Sequence, residues 1–470
     1  MRILISKRFI NKYGEEELPK TSKLLARLLK ISIPAALETL LIGIVGVVDT
    51  MMVGGCGTEA LASVAICQQP IFLTLALTMG LMAGVTAIVS RRKGEGDRQA
   101  ANSCVRQVII LSIICGLLMT LLSMVLARPI LLLAQAKEDT LDLAMVYFRI
   151  VSSVLVLNYV RLSICASLRA VGNTNMTFIT NIVANVVNIF LNYCLIGGNF
   201  GFPALGVKGA AIATAIGNSI SCFIAVFVVF VRINRKKETN IDFIKVSFKD
   251  NWHLDKTLVK NLVTVSTPAF IEQLFMRLGF FVISIIVNSL GTMVVAMNAI
   301  ISGVISLAFN ITDGFAMGCS SLVGMSLGEK KKGQALAFAR LSQVCSFSLG
   351  CIMIALIYIF RVQLSMLYSD DPEIIEGAST VLYFAVFVIY PQSLQWVTTG
   401  ALRGAGDVKF TATTAMLSVT IIRPLLSFLF CYPFGLGLLG SWIGMFIDQT
   451  IRFQINNHRL THLKWMEIKV

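Results

Sequence analysis

The stretch Ser32-Ile-Pro-Ala-Ala-Leu-Glu38 has a second copy in this chain, Ser266-Thr-Pro-Ala-Phe-Ile-Glu272, which lies 234 residues further on. Over residues 32–66 the same offset, applied without a gap, gives 12 identical positions of 35. Shared apolar composition alone would rarely align Pro, Glu and Gly-Thr. The chain therefore contains two copies of one structural unit.

Two further motifs extend the repeat towards the end of each copy. Leu168-Arg-Ala-Val-Gly-Asn173 aligns with Leu402-Arg-Gly-Ala-Gly-Asp407 at the offset of 234. With three residues fewer, Leu205-Gly206 aligns with Leu436-Gly437. The duplication therefore spans most of the chain.

The composition places both copies in a membrane. Of the 470 residues, 56% are hydrophobic and 14% are charged, whereas a soluble domain has about 25% charged residues. A membrane-spanning helix needs about 20 mostly apolar residues. Twelve such runs are predicted, at 31–53, 63–90, 106–126, 142–167, 176–198, 208–231, 262–287, 293–324, 339–360, 378–401, 410–432 and 436–455.

The distribution of positive charge predicts the orientation. The net charge is +15. Of the 40 Lys and Arg, 32 lie in the termini, in the loops after even-numbered helices or within four residues of these segments. Cytoplasmic loops carry the basic excess, so both termini are predicted to be cytoplasmic. The charge is spread along the membrane surface, which predicts contact with the lipid bilayer and no nucleic-acid partner.

These patterns predict an all-α integral membrane protein of twelve helices in two six-helix halves. Six is even, so both halves cross the membrane in the same sense and form a parallel, pseudo-two-fold repeat. The predicted boundaries are a cytoplasmic segment at 1–30, the N-terminal half at 31–231, a cytoplasmic linker at 232–261, the C-terminal half at 262–455 and a cytoplasmic tail at 456–470.

The chain has no motif that predicts an enzyme. No zinc-protease or P-loop signature occurs. No cofactor, no structural metal and no catalytic residue are predicted. Since there is no ATPase signature, uphill transport would have to use an ion gradient.

Acids inside the predicted spans are the first candidates for function, because an ionisable group in the bilayer is costly. They are Glu38, Asp49, Glu272, Asp313 and Asp448. Asp49 follows Glu38 by eleven residues, which puts both acids on one helix face. The alternative for Glu38 and Glu272 is that they pair with nearby cytoplasmic Lys or Arg.

Four asparagines form a polar stripe on the fifth span. Asn181, Asn185, Asn188 and Asn192 are spaced by 4, 3 and 4 residues and so share one helix face. They are either part of a functional site or interhelical hydrogen-bond partners.

Taken together, these motifs resemble the multidrug and toxic compound extrusion (MATE) transporters, including the NorM- and DinF-type bacterial members. The resemblance rests on the two-times-six plan, the Leu-Arg-x-x-Gly-[Asn/Asp] motifs, Val48-Asp-Thr50 and the Leu205–Thr214 segment. It covers about residues 20–455.

The resemblance implies an N-terminal proton or ion site. In related proteins this site uses an Asp in helix 1, an Asn and an Asp in helix 5, and a Thr in helix 6. The matching positions are Asp49, Asn188, Asn192 and Thr214. Asn192 departs from the pattern because it is an amide, which leaves Asp49 as the only acid of this site.

The resemblance also implies a cation site in the C-terminal half, with a Glu in helix 7 and an Asp in helix 10. Glu272 matches the first, and the second position falls near Gln392, which is not an acid. Asp313 would replace the missing acid, contact a cationic substrate or pair with Arg277, and these readings stay open. Na⁺ would bind at Glu272 or Asp49.

The predicted function is a secondary multidrug antiporter that exports organic cations in exchange for H⁺ or Na⁺ by alternating access. The protein is expected to be a monomer in the plasma membrane. The coupling residues would be Asp49, Glu272, Asn188, Asn192, Glu38 and Thr214, with Asp313 and Gln392 facing the substrate. A flippase of a lipid-linked saccharide is the alternative, and a membrane-embedded lipid enzyme is disfavoured.

Overall fold

The computed structural model describes residues 7–14, 16–134, 136–231 and 243–468. All regular secondary structure in these ranges is helical, which confirms the predicted all-α class. The basic run at the start of the predicted linker, residues 232–242, lies outside the described residues.

The helices of the first repeat half lie before residue 231. Among the described residues they are α1 (Lys7–Tyr13), α2 (Thr21–Gly54), α3 (Thr58–Glu95), α4 (Arg98–Val125), α5 (Ala127–Leu133), α6 (Glu138–Ser153), α7 (Leu155–Ala170), α8 (Thr174–Gly197) and α9 (Val207–Phe230).

The helices of the second half begin after the linker. In the described part of the chain they are α10 (Lys256–Asn288), α11 (Thr292–Gly328), α12 (Lys332–Met366), α13 (Pro372–Ala385), α14 (Ile389–Gly404), α15 (Val408–Leu417), α16 (Arg423–Cys431) and α17 (Gly437–Thr461). A π-helical segment, Ser418–Ile422, joins α15 to α16.

The positions at which the helices begin reproduce the repeat. Five helices of the first half begin 234 residues before their counterparts: α3 and α11, α4 and α12, α6 and α13, α7 and α14, and α8 and α15. The loop before α17 is shorter than the loop before α9, which accounts for the smaller offset at the end of each copy. The twelve-helix, two-halves layout is consistent with this spacing.

Ten helices of the described chain are long and apolar enough to cross a membrane, and an eleventh span results if α6 and α7 count as one. These two helices meet at a bend of 50°. The twelfth predicted span corresponds to α17, which does not pass the same test. Its apolar character is reduced by buried charged residues, Asp448 and Arg452.

The chain forms two compact units whose boundaries differ from those of the repeat halves. The unit that we call the N unit is Leu40–Phe270, and the C unit is Met1–Thr39 together with Ile271–Val470. Both boundaries fall inside helices, α2 and α10, a few residues after Pro34 and Pro268. The hydropathy pattern gave no sign of this, because each helix is one continuous apolar run.

In the N unit, α8 and α9 pack closely through glycines. A Cβ atom on Gly209 would lie 2.7 Å from the carbonyl carbon of Leu195, and one on Gly217 would lie 3.1 Å from the carbonyl oxygen of Ala184. Small residues let membrane helices approach at backbone distance. This contact holds the asparagine face of α8 against α9.

In the C unit, α11 and α14 pack in the same way. A Cβ atom on Gly400 would lie 2.5 Å from the carbonyl oxygen of Ala316, and one on Gly404 would overlap the carbonyl of Ser320. The first part of α2 also packs on α11, since Thr39 Oγ1 donates to the carbonyl oxygen of Asn310 (2.6 Å).

The N-terminal segment docks onto the start of α12 within the C unit. Phe9 is buried, and the Glu16 carboxylate accepts hydrogen bonds from the backbone N–H groups of Gly333 (2.6 Å) and Gln334 (3.2 Å). A carboxylate at a helix N-terminus satisfies unpaired N–H groups and the helix dipole. The described part of the linker docks onto α4 of the N unit, where Arg106 pairs with Asp250 at 3.0 Å.

Candidate functional site

The asparagine stripe of α8 faces the interior of the N unit. Asn181, Asn188 and Asn192 are buried, and Asn185 is partly buried. The 4-3-4 spacing of the sequence thus produces one continuous polar face on an otherwise apolar helix.

Asp49, near the end of α2, meets this face. The Nδ2 group of Asn192 donates a hydrogen bond to Asp49 Oδ1 (2.6 Å). Asn192 is 1% exposed, whereas Asp49 is only partly buried. In the described structure no Lys or Arg lies within ion-pairing distance of Asp49. The acid is therefore held by a neutral amide.

Asn188 and Thr214 complete this arrangement. In one orientation, the Asn188 amide makes two hydrogen bonds. Its nitrogen donates to Asp49 Oδ1 (2.9 Å), and its oxygen accepts from the Thr214 backbone N–H (3.2 Å). Three helices, α2, α8 and α9, thus supply the four residues that the resemblance to MATE transporters implied, and the structure places them together.

Tyr147 on α6 is a member of this site that the sequence did not reveal. It is buried, and its side chain interacts with Thr214 and lies in the field of Asp49. No spacing rule singles out one tyrosine in an apolar run. The only available signal was that a Tyr inside a membrane span needs a partner for its hydroxyl.

The site contains one carboxylic acid among neutral polar groups. Amide N–H groups stabilise the ionised carboxylate, whereas apolar surroundings favour the neutral acid. These opposing effects act on one group, Asp49, and none of its described partners carries a charge. Such a carboxylate can gain and lose a proton without breaking an ion pair.

Glu272 has different surroundings in the C unit. Its carboxylate pairs with Arg403 of α14 at 2.5 Å, and the Glu272 side chain is only 4% exposed. Arg403 is the arginine of the Leu-Arg-x-x-Gly-Asp motif, so the motif contributes the partner of this acid. The sequence had left open a pairing between Glu272 and a basic residue, and the structure shows that pairing.

The last residue of the same motif is also paired. Asp407 is 6% exposed and accepts a hydrogen bond from Nε of Arg459 on α17 (2.7 Å). Two ion pairs therefore connect the end of α14 to α10 and α17. This gives the motif a packing role in the C unit.

The three other candidates also lie in the C unit. Glu38 is 3% exposed, and Asp313 on α11 is partly exposed. Gln392 is buried, and its Oε1 atom has no hydrogen-bond partner in the described structure. The position where the resemblance implied a second acid thus holds a buried amide. Among the described residues, no group of three or more His, Cys, Asp and Glu side chains could hold a metal ion.

A protein-family model described as MatE matches residues 34–194 and 268–429. The two matched ranges begin 234 residues apart, at the offset of the internal repeat. They cover more than half of the chain, so this protein belongs to the MatE family of multi-pass membrane transporters, as the sequence motifs predicted.

Curated relatives match over most of their length. The probable multidrug resistance protein NorM of Thermotoga maritima is 27% identical over 444 residues, which are 94% of this chain and 93% of that protein. The multidrug resistance protein PmpM of Pseudomonas aeruginosa is 27% identical, over 82% of this chain and 80% of its own. Both relatives are named as multidrug resistance proteins, which agrees with the prediction of a non-enzyme.

Solved structures share the fold. An outward-facing multidrug resistance MATE family transporter matches with a TM-score of 0.86 and 21% identity, over 96% of this chain and 100% of that one. A Pyrococcus furiosus transporter, described as having a binding pocket of reversed polarity, matches with a TM-score of 0.84 and 22% identity, over 96% of this chain and all of that one.

Proposed function

We propose that this transporter is an antiporter that exports drug-like organic cations in exchange for H⁺, with Asp49 as the proton-carrying group. The observation that carries this proposal is the hydrogen bond from Asn192 to a carboxylate that has no described ion-pair partner. The names of the relatives, NorM and PmpM multidrug resistance proteins, support small drug-like molecules as substrates.

The orientation of the amides favours H⁺ over Na⁺ at Asp49. A Na⁺ site needs oxygen ligands around the ion, as other hard cations do. Here Asn192 presents its nitrogen to Asp49, and Asn188 does so in its satisfied orientation. The arrangement thus stabilises a bare carboxylate, which a proton can neutralise directly.

Glu272 is proposed to stabilise the C unit rather than to couple transport. Its carboxylate is matched by Arg403 at 2.5 Å, so protonation would leave the arginine without its partner. Breaking a buried pair by removing one charge costs about 3–5 kcal/mol. Binding of a proton or Na⁺ at Glu272 would therefore be opposed by that free energy.

We also propose a location, an orientation and an oligomeric state for the protein. We place it in the plasma membrane with both termini in the cytoplasm, because 32 of its 40 basic residues lie on one predicted side. We propose that it works as a monomer with no cofactor. The flippase alternative rests on the wider superfamily alone and receives no support from the contacts of Asp49.

The test is transport of ethidium, an organic cation, into proteoliposomes with an acidic lumen. We expect a pH gradient to drive ethidium uptake and a Na⁺ gradient at constant pH to drive none. Asp49→Asn should reduce uptake by about a hundredfold, to the background of empty vesicles, since the variant cannot carry a proton.

The matched control is Glu59→Gln, which removes one exposed acid at the start of α3 in the same unit. We expect this variant to keep the wild-type rate. Uptake driven by Na⁺ alone, or an active Asp49→Asn protein, would show that the coupling ion or the coupling residue is a different one.

A further inference from the structure

The described part of the linker, residues 243–255, which we call the strap, is fixed to the N unit by several contacts. Ile244 and Val246 are buried, and the backbone N–H of Val246 donates to the carbonyl oxygen of Val229 on α9 (3.2 Å). The backbone N–H of the residue between them donates to Asn102 Oδ1 on α4 (2.8 Å). The strap therefore packs on α4 and α9 in a defined conformation.

The two acids of the strap take part in holding it. Asp250 pairs with Arg106 of α4 at 3.0 Å. Asp255 Oδ1 accepts hydrogen bonds from the backbone N–H groups of Thr257 (2.8 Å) and Leu258 (3.1 Å) in the first turn of α10. Both carboxylates therefore face positive partners, one an arginine and the other a helix N-terminus.

Lysines of the strap and of the start of α10 have no acidic partner. Lys249, Lys256 and Lys260 are exposed, and no carboxylate lies within 4.0 Å of their Nζ atoms in the described structure. Residues 243–260 contain four lysines and two aspartates, a net charge of +2. This surface is therefore complementary in charge to an anion.

Two aromatic side chains of the strap contact the end of α9. Phe248 is 80% exposed, and its ring centre lies 4.4 Å from that of Phe230. The Trp252 ring stacks on Phe230 almost in parallel, at 5.9 Å and 7°. Phe230 is the last residue of a membrane-spanning helix, which places both rings near the level where acyl chains meet polar headgroups. Tryptophan is enriched at this level in membrane proteins.

We infer that the strap binds the headgroup of an anionic phospholipid, on the side of the membrane that carries the basic excess. Lys249 and Lys256 bind the lipid phosphate, and Phe248 lies among the acyl chains beside that headgroup. A soluble anion would find the same lysines but would leave the Phe248 ring in water, which is unfavourable for an apolar side chain. The exposed ring therefore favours a lipid over a soluble partner.

The test measures quenching of Trp252 fluorescence by brominated lipids in nanodiscs that contain the full-length protein. Every nanodisc contains equal parts of phosphatidylglycerol and phosphatidylcholine, and only one of the two lipids carries bromine on its acyl chains. The surface charge and the bromine content are therefore the same in both samples. The chain has four tryptophans, and the Trp252→Phe variant gives the signal of the others, which is subtracted.

We expect brominated phosphatidylglycerol to quench Trp252 more strongly than brominated phosphatidylcholine, by about two- to fivefold, the range that one lysine near an anionic headgroup can supply. In the Lys249→Gln/Lys256→Gln variant the two lipids should quench equally. Phe248→Ser should reduce quenching by both lipids, since the strap then inserts less deeply. Thermal unfolding of each variant verifies that it is folded.

The matched control is Lys464→Gln, which removes an exposed lysine of the C unit on the same predicted side of the membrane and should keep the wild-type preference. Equal quenching by both lipids in the wild type, or a preference that survives in Lys249→Gln/Lys256→Gln, would overturn the inference. Quenching of Trp252 by aqueous iodide, with none by either lipid, would also overturn it and would indicate a soluble partner. No gradient is imposed, so failure of H⁺ coupling at Asp49 would leave this result unaffected.

Discussion

The two repeat halves share one helix plan but surround their membrane acids differently. Asp49 in the first half lies among neutral amides. Glu272, Asp407 and Asp448 in the second half each pair with an arginine, at 2.5, 2.7 and 3.7 Å. The carboxylates of these three acids thus face positive charge, whereas the carboxylate of Asp49 faces neutral groups.

The same contrast appears at every position of the Asp49 site. At the repeat offsets, the second half has only apolar residues where the first half has its five polar ones. The replacements for Asp49, Tyr147, Asn188, Asn192 and Thr214 are Ile283, Val381, Ile422, Leu426 and Met445. Duplication thus preserved the scaffold, and the proposed proton site is present in one copy.

The largest expected effect tests the claim that the charges of the second half are structural. Arg403→Leu should lower the free energy of unfolding by about 3–5 kcal/mol, because it leaves Glu272 charged, buried and unpaired. Thermal unfolding in detergent measures this loss. The double variant Glu272→Leu/Arg403→Leu should recover most of the stability, since it removes both charges, and it should still transport ethidium.

If the double variant folds but cannot transport, Glu272 does more than stabilise the C unit. The comparison between the halves would then fail, because both would contain an acid that transport needs.

A smaller effect tests the amides around Asp49. Asn192→Leu removes the hydrogen bond donated to the carboxylate, and a hydrogen bond to a charged group contributes about 1.5–3 kcal/mol. We therefore expect proton-driven ethidium transport to fall by about tenfold or more.

The control for Asn192 lies on the same helix. Asn185 has a buried Nδ2 group with no partner in the described structure, so Asn185→Leu should keep the transport rate. Equal losses in both variants would indicate that the stripe packs α8 and does not act through Asp49.

The smallest effect tests what the two halves have in common. Gly209 and Gly440 occupy equivalent positions, where an added Cβ would lie 2.7 Å from the carbonyl carbon of Leu195 and 2.5 Å from that of Phe430. Gly209→Ala and Gly440→Ala should each destabilise the protein by about 1–3 kcal/mol through overpacking.

Thermal unfolding compares the two glycine variants with Gly46→Ala, at a position with no atom within 4 Å, where Ala should be neutral or slightly stabilising. A large loss in one half and none in the other would mean that the helix packing is not repeated as closely as the sequence is.

Much of the fold could be predicted because its signals are local or repeated. Apolar runs gave the spans, and the 234-residue offset gave the two halves and the positions at which α3 and α11 begin. The stripe from Asn181 to Asn192 was visible from helical spacing alone. The resemblance to MATE transporters then placed Asp49 and Thr214 in the same site.

The ion pairs and the unit boundaries were not predictable in the same way. Glu272 and Arg403 are 131 residues apart, and spacing along one helix does not show which face meets another helix. The hydroxyl of Tyr147 was expected to need a partner inside the membrane, but the sequence did not show that this partner is Thr214. Each of α2 and α10 is divided between the two compact units, because its two ends pack on different helices. The hydropathy of the sequence does not show which helices those are.

The sequence by itself determined the membrane class, the duplication, the asparagine face and the candidate acids, because each follows from composition or from a period along one chain segment. Only the tertiary structure decided which acids are paired. Pairing is set by distances of a few ångströms between side chains of different helices. That is why Asp49 remains the candidate proton carrier, whereas Glu272, which Arg403 pairs, is proposed to stabilise the C unit.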